Sequence, residues 1–421
     1  MHRMIAALLA AVSCVSVAQA QDIATTAPPA ASPLTLDQAV AAAGGSAPAA
    51  DAARADIAAA EAGRTIAGLR PNPTVTTEVE NIAGTGPYGG FRGAETTVGF
   101  SIPIELGGKR SARIAVADAR TMRAQLAAAI TEADIRLQVT ELYVNAVAAE
   151  RRLTTALDQA RIANEALNAA RVRVRAGRAS PIEEQRADVT RLNAEAAVEN
   201  ARRLLDAARL NLGRRIGQPV TGALDLTALD DLPAAYGPQL APTVEGTLAL
   251  AAADADLAVA DAGVRLARSQ RIPDVTVGPG VRRFSESNDT AALFSISVPI
   301  PLFNSGRAAV GQASAERSRA EAQRRMTALD VEQVILDART EAGNAATNAR
   351  TANGPALAAA QEAARIARIG YREGKFGQLD LLDAERTLAE TRLTAIDALV
   401  AYQNARARLE RLTAPAPEQG N

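Results

Sequence analysis

Aromatic residues make up 3% of this 421-residue chain, tryptophan is absent, and there is one cysteine and one histidine. So few large rings argue against a compact core of bulky side chains. The 48% hydrophobic content is carried mainly by alanine, which suits helices packed closely over long distances. Charge of one sign is also lacking: the formal net charge is −1 and no basic patch stands out, so a nucleic-acid partner has no electrostatic support.

The single histidine and cysteine, His2 and Cys14, fall within "MHRMIAALLAAVSCVSVAQA". Its basic start, apolar run and small-residue end at Ala18-Gln19-Ala20 predict a secretory leader over 1–20, cleaved before Gln21. A lipid-anchored Cys14 is the other reading, which the preceding Ala11-Val12-Ser13 fit poorly. Cleavage after Ala20 removes disulfide, thiolate and imidazole chemistry from the chain. Nucleophilic catalysis usually needs a histidine base and transition-metal sites usually draw on His or Cys. No paired-carboxylate constellation stands apart from the helical charge pattern, so no catalytic residue, cofactor or metal site is expected.

What is present is a duplication. "FSIPIELGGKR" (Phe100 to Arg110) recurs as "FSISVPIPLFNSGR" (Phe294 to Arg307). Upstream, Gly63 and Pro73 answer Gly263 and Pro273; downstream, "RAGRASPIEEQRAD" (Arg175 to Asp188) answers "REGKFGQLDLLDAE" (Arg372 to Glu385). Three landmarks in one order, roughly 200 positions apart, define two tandem units, 21–220 and 243–421, joined by a linker at 221–242.

Each unit opens with period-two alternation. Thr96, Val98, Phe100, Ile102 and Ile104 share one face against Glu95, Thr97, Gly99, Ser101 and Pro103, and Val75 and Val79 alternate with Thr76, Glu78 and Glu80. The pattern predicts strands at about 74–83 and 94–104, then 274–285 and 291–300. Five of the six phenylalanines, Phe91, Phe100, Phe284, Phe294 and Phe303, lie in or beside these hairpins. A soluble sheet accounts for such alternation. So does a membrane barrel, whose strands are about ten residues long with aromatics near their ends. Four strands cannot close a barrel, so the membrane reading requires strands shared among subunits.

Long helices follow, at about 108–174 and 181–213 and again at about 305–370 and 378–412. From Leu142 through Ala146, Ala149, Leu153, Ala156, Ala160, Ala163, Leu167 and Ala170 to Val174 the steps alternate fours and threes, a seam built mostly of alanine. A helix from Lys109 to Val174 would be about 100 Å long, beyond any compact domain. "NGP" at Asn353 to Pro355 predicts a kink in the second long helix.

With these features the chain resembles the TolC-type outer membrane factors of tripartite efflux pumps. "GYREGKFGQLDLLDAERTL" (Gly370 to Leu388) resembles the family's second hairpin tip. "EVEN" (Glu78 to Asn81) and "GAETTVGFSIPIELGGKR" (Gly93 to Arg110) resemble the branch serving cobalt, zinc and cadmium efflux. The resemblance implies a mainly α fold with a small β part. Three protomers would form a twelve-stranded outer membrane barrel continued by a twelve-helix periplasmic barrel. It implies a homotrimer in outer membrane lipid, a periplasmic adaptor and an inner-membrane pump of the resistance-nodulation-division (RND) type.

It also assigns sites. The strand-to-helix joins would be Pro103, Gly107 and Gly108, and Pro299, Pro301 and Gly306, with the prolines ending the ladder for want of an amide donor and Asn304-Ser305 capping the helix. Adaptor-contacting tips would hold Arg175, Gly177 and Arg178, and Arg372, Gly374 and Lys375. A periplasmic gate would use Tyr371, Asp380 and Asp383, with Glu183 opposite Asp380; the first unit departs by having Val174 for the tyrosine and Arg186 opposite Asp383. Read without the family, Asp380 and Asp383 are ordinary carboxylates at a helix start. The function implied is a passive duct for divalent heavy-metal cations. A duct for organic solutes or secreted proteins is the second reading and a structural periplasmic coiled coil the third.

Overall fold

A computed structural model describes residues 33–232 and 244–417. The expected leader over 1–20, with His2 and Cys14, and the linker stretch 233–243 lie outside them. The order of regular elements is α1 (Leu36–Ser46), α2 (Pro48–Ala67), β1 (Thr74–Glu80), β2 (Glu95–Ile104), α3 (Lys109–Arg175), α4 (Pro181–Ile216), α5 (Leu248–Ser269), β3 (Val275–Phe284), β4 (Thr290–Ser297), α6 (Arg307–Thr351), α7 (Leu357–Arg372) and α8 (Gln378–Leu412). Helices α1, α2 and α5 are additions to the elements expected from sequence. At 67 residues, α3 spans about 100 Å.

Arginine-carboxylate pairs fix the order of the helices. Arg64 with Asp118 sets α2 antiparallel to the start of α3, and Arg209 with Glu150 and Arg171 with Glu184 set α4 antiparallel to its remainder. On the other flank of α3, Arg123 meets Asp256 of α5, while Arg411 meets Asp134 and Arg152 meets Asp397, both pairs tying α8 to α3. Arg317 with Asp261 joins α6 to α5, and Arg368 with Glu385 joins α7 to α8.

Short helices are stacked end to end to match the long ones. Ser46 Oγ donates to the carbonyl of Ile216, where α4 meets α1 and α2, and Leu248 N donates to the carbonyl of Ala414, where α8 meets α5. The result is a wall of four helical columns in the order α2/α4, α3, α5/α8, α6/α7.

Its largest apolar core lies midway, where Ala39 and Ala43 of α1 pack with Ile135, Val139, Tyr143 and Val147 of α3, Leu212 and Ile216 of α4, and Leu399 and Tyr402 of α8. The linker segment Leu224 to Asp231 closes over it. Tyr143 is fully buried and its hydroxyl donates to the carbonyl of Leu34 at 2.7 Å and lies 3.2 Å from that of Asp225; burial pushes its pKa up to about 12. Arg151 pairs with Asp230, and Gln403 donates to the carbonyls of Leu229 and Asp231.

At the expected kink the helix widens. Ala352–Ala356 forms a π-helical turn that contains Pro355, with αR backbone on both sides, so α6 and α7 stay joined. A wider turn accommodates the missing amide donor without breaking the helix. Strand ends also differ from expectation. β1 stops at Glu80 because Asn81 takes a left-handed conformation with φ 59°, and β4 stops at Ser297, two residues before Pro299. α4 runs on to Ile216.

The four strands form one antiparallel sheet in the order β1-β2-β3-β4, so the two units meet at β2 and β3. Cross-strand partners share a face. One face is mainly polar, with Thr74, Thr76, Glu78, Glu80, Glu95, Thr97, Ser101, Arg282, Ser295 and Ser297 but also Phe284 and Leu293; the other is mainly apolar, with Val75, Val79, Val98, Phe100, Ile102, Val277, Val281, Phe294 and Ile296 but also Thr77, Thr96, Arg283 and Thr290. The apolar face has no cover: Val75 is 68% exposed and Phe294 69%. The outer edges of β1 and β4 have no strand partner among the described residues.

Because two backbone carbonyls share the Tyr143 hydroxyl, Tyr143→Phe leaves both without it and should cost about 1–2 kcal/mol. Thermal unfolding followed by circular dichroism checks this, and an unchanged midpoint would show that the hydroxyl contributes nothing.

Candidate functional site

Three zones along the wall carry the features singled out in the sequence: the polar face of the sheet, the two strand-to-helix joints and the two helix-hairpin tips.

On the polar face, Arg282 of β3 reaches across two strands. Its guanidinium lies 2.9 Å from Glu80 and 2.8 Å from Glu95, and Nε donates to Thr97 Oγ1 at 2.9 Å. Asn81 Nδ2 also approaches Glu95. The "EVEN" stretch therefore supplies a polar end to the sheet near its hairpin loops.

At the first joint, Gly107 and Gly108 both have φ near +70°, and Gly108 is the residue before α3. A Cβ on Gly107 would lie 2.7 Å from the Ile272 side chain, so glycine is required for space as well as for backbone angle. The turn is tied down by charge. Asp274 accepts from Leu106 N at 3.1 Å and meets Lys109 Nζ at 2.7 Å, while Arg113 grips Glu105 and donates to the carbonyls of Ala67 and Leu69. The Arg113 hydrogen bond holds the Glu105 carboxyl below its usual range. Asp274 is pushed up by burial, but Lys109 and the Leu106 amide outweigh this and hold it low as well.

Pro103 corrects the expectation for this joint. It does not end the ladder with β3, where it pairs with Thr276; it lies beyond the β1 partner Thr74, which faces Ser101, so its absent amide costs no β1 bond. At the second joint Pro299 and Pro301 do lie past the strand end. Gly306, φ +70°, precedes α6, and no side chain caps that helix; Asn304 Oδ1 accepts from Gly306 N at 3.1 Å instead. Phe303 is fully exposed beside it.

The two tips share one turn. Arg178 N donates to Arg173 O and Gly177 N to Val174 O; Lys375 N donates to Gly370 O and Gly374 N to Tyr371 O. This is the Schellman ending, with Gly177 and Gly374 in the left-handed conformation at φ +65° and +72°. The second tip adds a wedge that the first lacks. Phe376 folds over Gly370, where a Cβ would lie 2.2 Å from the ring; Ala179 occupies the matching place in the first tip.

Behind the tips the predicted gate residues are only partly brought together. Tyr371 lies under the Arg173 guanidinium, 5.1 Å from ring centroid to Cζ, and its hydroxyl is buried with no hydrogen-bond partner among the described residues. It borders a cavity of about 340 Å³ lined also by Arg161, Glu165 and Arg368. Glu183 likewise has a buried Oε2 without a partner among the described residues. Asp380 accepts from Gly377 N at 2.9 Å, the helix-start role available to it without any gate. Asp383 is exposed on the same helix.

Sequence reasoning missed the most buried charge here. Glu385 is 3% exposed and takes both its bonds from Arg368, whose pKa that contact raises. The signal was present: Gln378, Leu381, Glu385 and Leu388 follow heptad spacing on the buried stripe of α8, and two of those four are polar.

The profile of the family described as "Outer membrane efflux protein" matches residues 40–218 and 244–414. The chain belongs to the outer membrane efflux protein family. It is 32% identical over 385 residues to the cobalt-zinc-cadmium resistance protein CzcC of Cupriavidus metallidurans, covering 91% of this chain and 90% of that protein. It is 32% identical over 279 residues to the nickel and cobalt resistance protein CnrC of the same species, covering 65% and 66%. Among solved structures, the open state of the Neisseria gonorrhoeae MtrE outer membrane channel superposes with a TM-score of 0.73 at 19% identity, covering 90% of this chain and 88% of that one.

As an efflux protein of this family the chain lies in the outer membrane and extends into the periplasm. The sheet's uncovered, largely apolar face has the character of a lipid-facing surface, and the opposite face, with Glu80, Glu95 and Arg282, that of a water-facing one. No helix among the described residues is long and apolar enough to cross a membrane. Among the described residues no group of three or more His, Cys, Asp or Glu could hold a metal ion.

Because Glu105 and Asp274 are held below their ordinary values, the stability they contribute is full above about pH 4 and is lost as pH falls through their folded-state pKa values. Replacing Asp274 with Asn should weaken the joint by about 1–3 kcal/mol at pH 7 and shrink the acid-induced loss. Melting curves from pH 7 to pH 3 test this; identical curves for both proteins would remove the joint from the account. Gly370→Ala, by displacing Phe376, should increase proteolytic nicking at the second tip relative to the first.

Proposed function

We propose that this protein is the outer membrane duct of an RND-type tripartite system that exports divalent heavy-metal cations. The observation that carries the cargo class is the whole-length likeness to CzcC, supported by CnrC and by the likeness to the cation efflux protein CusC of Escherichia coli, 28% identical over 239 residues. The metal is cargo. The duct-facing side offers carboxylates and hydroxyls, which do not grip cobalt, zinc or cadmium as cysteine and histidine would, so selection rests with the pump.

The working unit is a homotrimer. The free edges of β1 and β4 and the outer columns α2/α4 and α6/α7 lie on opposite sides of the protomer. Repeating it three times joins each free side to its complement and gives twelve strands and twelve columns. The tips around Arg175, Gly177, Arg178, Arg372, Gly374 and Lys375 receive a periplasmic adaptor.

The periplasmic gate is formed where Tyr371, Glu183, Asp380 and Asp383 converge in the trimer. Arg173 over Tyr371 and Arg368 on Glu385 hold the closed arrangement within each protomer. Asp380 keeps its capping bond, so Asp383 is the freer of the two aspartates to face passing cations.

A deletion strain should become sensitive to cobalt, zinc or cadmium at concentrations at least a few-fold lower, with resistance restored by the gene. Sensitivity confined to detergents and dyes would replace metal by organic cargo. In planar bilayers, D383A should reduce cation over anion preference more than D380A does. Equal effects, or none, would remove Asp383 from the gate.

A further inference from the structure

The charge at the tips opposes the cargo. Between Glu165 and Glu183 the first hairpin has no acidic residue, yet it carries Arg171, Arg173, Arg175 and Arg178. Arg171 is matched by Glu184 at 3.2 Å, and Arg173 is spent on the Tyr371 ring. Arg175 and Arg178 are exposed and have no carboxylate partner among the described residues; Arg175 Nε reaches only the carbonyl of Arg171. At the second apex Lys375 pairs with Glu373 at 2.6 Å, leaving Arg372 exposed and bound only to the carbonyl of Arg368. Each protomer thus presents uncompensated guanidinium groups at the extreme end of the helices. Of the neighbouring acids, Glu184 is paired with Arg171, Glu183 is half-buried, and Asp380, though exposed, caps α8; the exposed Asp383 lies about one turn farther from the apex.

A ring of arginines repels divalent cations arriving from solution. That arrangement is a handicap for an open funnel and harmless for a mouth that is never open to the periplasm while it works. We infer that Arg175, Arg178 and Arg372 form a cationic collar that docks an acidic surface of the periplasmic adaptor, and that docking neutralises the entrance so that metal cations can pass. The inference rests on the reading of the tips as the adaptor contact and adds the chemistry of the surface that fits them. The tips lie about 100 Å of helix from the sheet, which puts the lipid around the barrel out of reach.

The test uses the full-length detergent-solubilised protein and the purified adaptor of its own efflux system. Binding is measured by surface plasmon resonance from 50 to 500 mM NaCl. The collar predicts affinity that falls steeply with salt. R175E/R178E should lower it at least about tenfold at 50 mM NaCl and flatten the salt dependence, while R175K/R178K keeps most of both. Lysine substitutions at the acidic surface of the adaptor should restore binding to R175E/R178E. Assembly of each variant is confirmed by heat-modifiable mobility on gels.

A second variant separates the two layers of the argument. Ala176 is exposed at the first apex, and A176C labelled with a bulky maleimide should block adaptor binding whatever the charge. Salt-insensitive binding that R175E/R178E leaves intact, with labelled A176C still blocking, would overturn the acidic partner and keep tip docking. Unimpaired binding by labelled A176C would overturn tip docking itself. Tight binding to vesicles containing phosphatidylglycerol, with none to the adaptor, would overturn the proposal in favour of anionic lipid.

Discussion

An open sheet edge cannot be tolerated in lipid, because each unpaired amide or carbonyl there costs several kcal/mol. This chain builds four strands with an apolar outer face and leaves the outer edges of β1 and β4 free. Almost everything else follows from that constraint. The edges must be closed by other copies, the columns below the sheet must fall into the same repeat, and the joints must turn each chain from a pleated ladder into a helix without losing the lateral order.

The joints solve the turn with glycine angles and charge rather than with apolar packing. Gly107 and Gly108 allow a reversal that Ile272 closes over, while Asp274, Lys109, Glu105 and Arg113 tie strand, helix and α2 together at one level. Farther down, alanine on the seams lets the axes approach, and the long-range order comes from arginine pairs between columns. Individual exposed pairs of this kind are worth about 0–1 kcal/mol. Their value here is register, since each one picks out a single axial setting of two helices that alanine alone would let slide. The buried set around Tyr143 then fixes the middle of the wall.

Much of this was legible in the residues. Duplication, strand alternation, the glycine turns at Gly177 and Gly374 and the uninterrupted α3 all have local signatures. What was not legible depends on neighbours distant in sequence. Helices α1, α2 and α5 are alanine-rich and far shorter than α3, and what holds them is packing against α3. Pro355 marks an irregularity in the sequence, but its form, a π turn, is visible only in the structure. Pro103 reads as a ladder terminator, yet the β2-β3 pairing runs on through Pro103 and Ile104. At the tips the aspartates were visible as a motif, whereas the Arg368-Glu385 pair emerges only when α7 and α8 are set side by side.

The shared barrel depends on subunit number. Native mass spectrometry of the protein released from detergent micelles measures it directly. Three copies, with a monomer seen only after heating in dodecyl sulfate, is the predicted result. A stable monomer would contradict the shared barrel and with it the reading of the sheet edges, and a dimer offering eight strands would contradict the twelve-stranded trimer.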